Sequence, residues 1–157
     1  MSPLPGRCRH LVLAAVVALT LLAPACSAEH EDPEVTALRD EFGIASDRAI
    51  HFVMLLGEGA REGIDPPSLE VAPGDVVVFE TGDWRVHTFA FDLDGTPPDR
   101  RTFLEDFRQT ASPPLLTLGS RFLVTFEGAP LGDYPFTSEA GGGSARGVIS
   151  VRVPEGR

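Results

Sequence analysis

The sequence predicts an all-β domain, a two-sheet antiparallel sandwich of Greek-key type with one short helix ahead of it and another inserted into it. Three observations predict this. From residue 50 onward the apolar residues fall in six to eight short runs of period two, turn residues separate those runs, and only two stretches show helical spacing. With 157 residues the chain has room for one such domain plus extras, and not for a second.

The first 25 residues read as an export signal and not as fold. Arg7 and Arg9 precede an apolar run from Leu11 to Leu22, and Ala23-Pro24-Ala25 supplies small residues before Cys26. The apolar run is too short to span a bilayer, which takes about 20 residues. Cys26, with Leu21-Leu22 upstream and Ser27 downstream, resembles the lipobox cysteine of bacterial lipoproteins. On that reading the product is tethered to the outer face of a membrane through a lipidated Cys26. Plain cleavage after Ala25 would instead leave a soluble secreted or periplasmic protein. Cys8 lies in the signal, so the remaining chain has no cysteine pair and its fold stands without a disulfide. Removal of Arg7 and Arg9 leaves 11 arginines against 23 acids, a formal charge of −12. Such a surface argues against nucleic acid or anionic lipid as the partner and suits a solubility role.

Residues 26–49 read as a tether followed by a short helix. SAEHEDP is small and charged without periodicity; then Val35, Leu38 and Phe42 recur at helical spacing between Asp32, a possible N-cap, and Gly43, a stop. The helix either lies against the sandwich or extends the tether. Residues 50–157 carry the sandwich. Ile50 to Leu56 is a continuous apolar strand, Gly57 to Pro67 a turn-rich loop, and Ser68–Val71 with Val76–Glu80 a hairpin about Pro73-Gly74-Asp75. In HTFAFD, His87, Phe89 and Phe91 share the face that points into the core. Residues 97–109 place Phe103, Leu104 and Phe107 on one side of a short helix. The runs around Phe122, Tyr134 and Ile149 close the sheets.

The stretch SLEVAPGDVVVFETGDWRVHTFAF resembles the front half of a cupredoxin of the plastocyanin and pseudoazurin type. FLVTFEGAPLGDYPFTSEAGGGSARGVISV is similar to the final hairpin of that family. The resemblance covers roughly residues 50–153 and implies a cupredoxin-like sandwich with a blue-copper centre made by two histidines, a cysteine and an axial methionine. Carried over position by position, only His87 matches a ligand. Ser138 stands at the cysteine position, Gly141 at the second histidine, and Ser144 or Ala145 near the methionine. No cysteine follows residue 26. A serine hydroxyl stays protonated at neutral pH and does not replace a thiolate, so a type 1 copper site is not expected.

Glu139, one residue past Ser138, is the carboxylate that with His87 would make a weak hard-ligand site for copper(II) or zinc. His51 and Met54 fall on opposite faces of one strand, and His30 sits in the tether. Trp84, the single tryptophan, either offers an aromatic to a partner or plugs the space above His87. His87 itself is expected to be buried, bonded to backbone or Ser138, and in contact with Trp84 or with the glycine-rich loop 138–145. No serine lies in a Gly-x-Ser-x-Gly turn, and enzyme activity is not expected. The expected function is an extracytoplasmic binding or structural module that presents the loops around Trp84 and Glu139 to a protein or small-molecule partner, with no cofactor. The resemblance implies the alternative, copper binding or electron transfer with a degraded site around His87.

Overall fold

The run Val76-Val77-Val78-Phe79 is apolar at every position because both of its faces are covered. In the computed structural model, which describes residues 31–154, it belongs to β4 (Val76–Thr81), a central strand with all four of these residues buried. Val77 and Phe79 face the main core between the sheets, and Val76 and Val78 face α1 (Pro33–Phe42). The signal read over residues 1–25, Cys26 and His30 lie outside the described residues.

α1 starts as its sequence suggests. The Asp32 carboxylate accepts the Glu34 amide at 2.8 Å, Pro33 takes the first helical position, and Gly43 ends the helix at φ +64°. Leu38 is 1% exposed and packs with Val76, Val78, Ile50, Phe52 and Leu123. The helix therefore lies against the sandwich, and residues from Asp32 onward form one compact unit.

The first sheet has the order β2 (Arg61–Asp65), β1 (Ile50–Glu58), β4, β6 (Arg121–Thr125). The second has β3 (Ser68–Val71), β8 (Gly143–Val151), β7 (Gly132–Ala140), β5 (His87–Phe91). Phe79, Phe89, Phe91 and Phe136 meet between them, with the Phe79 and Phe89 rings stacked at 3.9 Å. α2 (Pro98–Asp106) buries Phe103 and Leu104 against this core, while Phe107 stays half exposed. Just beyond α2, the Gln109 side chain accepts the Thr125 amide at 3.1 Å and donates to the Thr125 carbonyl at 2.9 Å, on the open edge of β6. Among the described residues no helix is long and apolar enough to cross a membrane.

Four expectations need correction. The sheets are mixed, since β1 pairs with β4 and β3 with β8 in parallel; the chain leaves the first sheet after β2, visits the second as β3, and re-enters beside β1 in the same direction. Pro73-Gly74-Asp75 is consequently a corner between sheets and not a hairpin turn. Its Asp75 carboxylate fixes that corner by accepting the Ala72 amide and the His51 imidazole, each at 2.9 Å. The segment read as a loop contains β2, which is amphipathic only weakly and pairs with the end of β1 from Met54↔Asp65 to Glu58↔Arg61. Lastly, the region read as a glycine-rich loop, 138–145, is a continuous hairpin. Its ladder runs to Ala140↔Gly143 across a two-residue turn in which Gly141 and Gly142 both have positive φ.

Candidate functional site

His87 opens β5 facing inward and is fully buried. Both ring nitrogens meet carboxylates: Nδ1 lies 2.9 Å from Glu62 Oε1 and Nε2 lies 2.8 Å from Asp83 Oδ1. Each contact needs a hydrogen, and an imidazolium supplies both when the carboxylates are ionised. Ser138 Oγ donates to the same Glu62 oxygen at 2.6 Å. Arg85 closes the cluster, with Nη2 on Glu62 Oε2 at 3.1 Å and Nε on Asp83 Oδ2 at 3.0 Å. The Asp83 carboxylate also accepts the backbone amides of Gly57 and Arg85, at 3.0 and 2.8 Å. Two carboxylates are thus met by an imidazole and a guanidinium, and nearly every polar atom in the group has a partner.

Two glycines make room for this. A Cβ on Gly57 would coincide with the Arg85 guanidinium, and a Cβ on Gly143 would lie 2.6 Å from the Ala60 carbonyl oxygen and 3.0 Å from the Glu62 nitrogen. The start of β8 therefore presses on the backbone of β2, which carries the Glu62 side chain under the second sheet.

The expected site residues separate. His87 is buried and Ser138 lies beside it through Glu62, but Trp84 points to solvent at 76% exposure and plugs nothing. Glu62 and Asp83 close the space instead, because only charged acceptors satisfy both ring nitrogens. Glu139 stands opposite Thr88 in the ladder with its side chain on the outer face, whereas His87 stands opposite Ala140, so the two do not share a site. Gly141 is in the hairpin turn. His51 bonds Asp75 on the core side of β1, and Met54 lies on the other face.

The sequence held a signal for part of the cluster: Asp83 is a turn-forming residue two before Arg85, whose amide it accepts, and four before His87, whose ring it meets. Glu62 has no such signal.

Burial pushes the Asp83 carboxyl up, but the hydrogen bonds from His87 and from the Arg85 backbone and side chain, with the His87 charge, outweigh it and hold the group well below the ordinary carboxylate range. A depressed carboxylate contributes stability that is complete above its unfolded value, near 3.8, and is lost as pH falls below it. Denaturation midpoints should therefore drop between about pH 5 and pH 2, and Asp83→Asn should flatten that part of the profile. Equal slopes in both proteins would show that Asp83 does not carry the acid sensitivity.

A blue-copper centre does not fit these residues. The one matching imidazole has both nitrogens committed to carboxylates on opposite edges of its ring, the Ser138 hydroxyl donates to Glu62, Gly141 has no side chain, and Ala145 opposite Ser138 is apolar. Among the described residues no group of three or more His, Cys, Asp or Glu side chains is arranged to hold a metal ion.

No protein-family model matches the sequence, and no curated protein does. Solved structures do. The chain is similar to a purple cupredoxin from Nitrosopumilus maritimus, 20% identical over 65% of this chain and 99% of that one, with a TM-score of 0.45. It is similar to plastocyanin from Dryopteris crassirhizoma, 20% identical over 64% and 99%, TM-score 0.46. A pseudoazurin from Sinorhizobium is 19% identical over 68% and 76%, TM-score 0.43. At these identities the likeness concerns the fold and not the chemistry. Over the described residues the chain is a two-sheet, mostly β sandwich with two short helices, and the solved structures it is similar to include the cupredoxins named above.

Proposed function

We propose that this chain is an extracytoplasmic module, tethered to a membrane through Cys26, whose role is binding or structural and not copper redox chemistry. One observation carries the reading. His87, the only residue at a copper-ligand position, is held on both nitrogens by Glu62 and Asp83 of its own chain, and Arg85 and Ser138 complete the cluster. Such a cluster ties β2 of the first sheet to β5 and β7 of the second, which is a structural task. No group in it faces solvent as a free nucleophile or base, and this supports a non-enzymatic role. The export signal and the lipobox-like cysteine support a place outside the cytoplasm. The contact surface of the module is the end of the sandwich that carries Trp84.

Copper(II) added to the purified protein should give no intense thiolate-to-copper absorption, and His87→Ala should leave copper affinity nearly unchanged. A strong visible band, or a sharp fall in affinity on that substitution, would overturn the reading and restore copper handling.

A further inference from the structure

Four exposed apolar side chains gather at one end of the sandwich. His87 and Leu115 exchange backbone hydrogen bonds, N to O at 3.0 and 2.8 Å, as an isolated antiparallel bridge. That bridge sets the residues next to it, Val86 and Leu116, side by side, and Thr81 Oγ1 donates to the Thr117 carbonyl at 2.5 Å, so the bend that carries Trp84 and the turn that carries Leu118 lie at the same end of the sandwich. The exposures of Val86, Leu116, Trp84 and Leu118 are 50%, 62%, 76% and 47% respectively. Asp83 and Arg85, the charges nearest in sequence, turn inward to the His87 cluster, and the exposed Glu139 carboxylate flanks Val86 on the outer face of the second sheet. Residues 109–120 contain no ionisable side chain, a long neutral stretch in a chain with 23 acids.

α1 begins at the same end. Arg121, at the start of β6, bonds Glu80 at 2.6 Å near the end of β4 and also bonds Glu34 in the first turn of α1. Thr81 and Ser120 are joined there, Thr81 N to Ser120 O at 3.0 Å. The N-terminus of α1 therefore sits beside the segment that carries Leu116 and Leu118, and its C-terminus lies toward the opposite end. Leu118 is three residues from Arg121, at most about 11 Å of chain, and Cys26 is eight residues from Glu34, at most about 29 Å when extended. A lipid on Cys26 would keep the N-terminus of α1, and with it this end, within that chain length of the bilayer.

We infer that Trp84, Val86, Leu116 and Leu118 insert into the lipid surface to which Cys26 is anchored. This rests on the lipoprotein reading proposed above and adds an orientation to it: the domain lies with its Trp84 end on the membrane. The chemistry fits the lipid interface, where an indole places its ring among acyl chains and its N–H among headgroups, and where leucine and valine leave water. The acidic remainder of the domain is repelled by anionic headgroups, so the contact is apolar, prefers zwitterionic lipid, and survives added salt.

Because Trp84 is the single tryptophan, its fluorescence reports the contact directly. Mass spectrometry of the exported protein first reads whether Cys26 carries lipid; a bare Cys26 refutes the lipoprotein reading on its own. The protein, with its own lipid or coupled through that thiol to a maleimide phospholipid, is then placed in phosphatidylcholine and phosphatidylethanolamine vesicles with brominated acyl chains. Insertion predicts a blue shift and a loss of Trp84 emission relative to unbrominated vesicles, undiminished by salt and abolished by Leu116→Ser with Leu118→Ser. Equal emission in the two vesicle types overturns it. A blue shift without bromine quenching, together with dimers in sedimentation or capture of a protein partner, also overturns it and assigns the patch to a protein surface.

Discussion

Glu62→Ala should lower the unfolding free energy by about 3–5 kcal/mol, the range for breaking a buried ion pair from one side. The Glu62 and His87 side chains are both fully buried, and Glu62 serves His87, Arg85 and Ser138 at once. Removing it leaves His87 Nδ1 and one side of the Arg85 guanidinium without their acceptor and strands the Ser138 hydroxyl. Glu62→Gln keeps the shape and an acceptor oxygen, so it should cost distinctly less. His87→Ala and Glu62→Ala combined should cost less than the two single losses added, because the second change removes the group that the first left unpaired. Urea denaturation reads all four proteins. If Glu62→Ala shifts the midpoint no more than an ordinary surface substitution, about 0.5 kcal/mol or less, the cluster is not what joins the sheets.

Leu38→Ala should cost about 2–5 kcal/mol, as expected for truncating a well-packed leucine. The residue lies on α1, in a segment that composition alone assigns with the tether, yet it is 1% exposed and packs on Val76 and Val78. Phe42 on the same helix is about half exposed and serves as the contrast, since Phe42→Ala should cost much less. Similar small effects at both positions would make α1 an accessory of the tether and not part of the fold.

The strands of the sandwich were legible where one face is apolar and the other polar. Phe89 and Phe91 fixed the inward face of β5 and with it the burial of His87, and Asp32 and Gly43 marked the limits of α1. β2 was not legible, because Arg61-Glu62-Gly63-Ile64-Asp65 offers a single apolar residue, and its pairing with β1 is decided by a chain reversal at Gly59 and Ala60. Pro73-Gly74-Asp75 misled because a tight corner between sheets and a hairpin turn use the same residues. The difference lies in whether Val71 pairs with β4 or, as here, with β8. The glycines at 141–143 misled as well, since the same composition serves a flexible loop and a type I′ turn. At the site, sequence could find His87 and Ser138 and could rule out a thiolate. It could not find Glu62, which is 25 residues from His87, comes from the other sheet, and sits among residues that look like solvent-facing loop.

Gln109 bears on how the domain behaves when crowded. β6 is an edge of the first sheet, where the backbone groups of a strand are open to pairing by another chain. The side-chain amide of Gln109 takes both the N–H and the C=O of Thr125, in the manner of a neighbouring strand but from a residue that brings no further backbone to extend. A foreign strand arriving at Thr125 must first withdraw that amide from a buried position, so the ladder ends there. The chain thus covers this stretch of its own sheet edge from within, with a glutamine that lies outside the hydrophobic core.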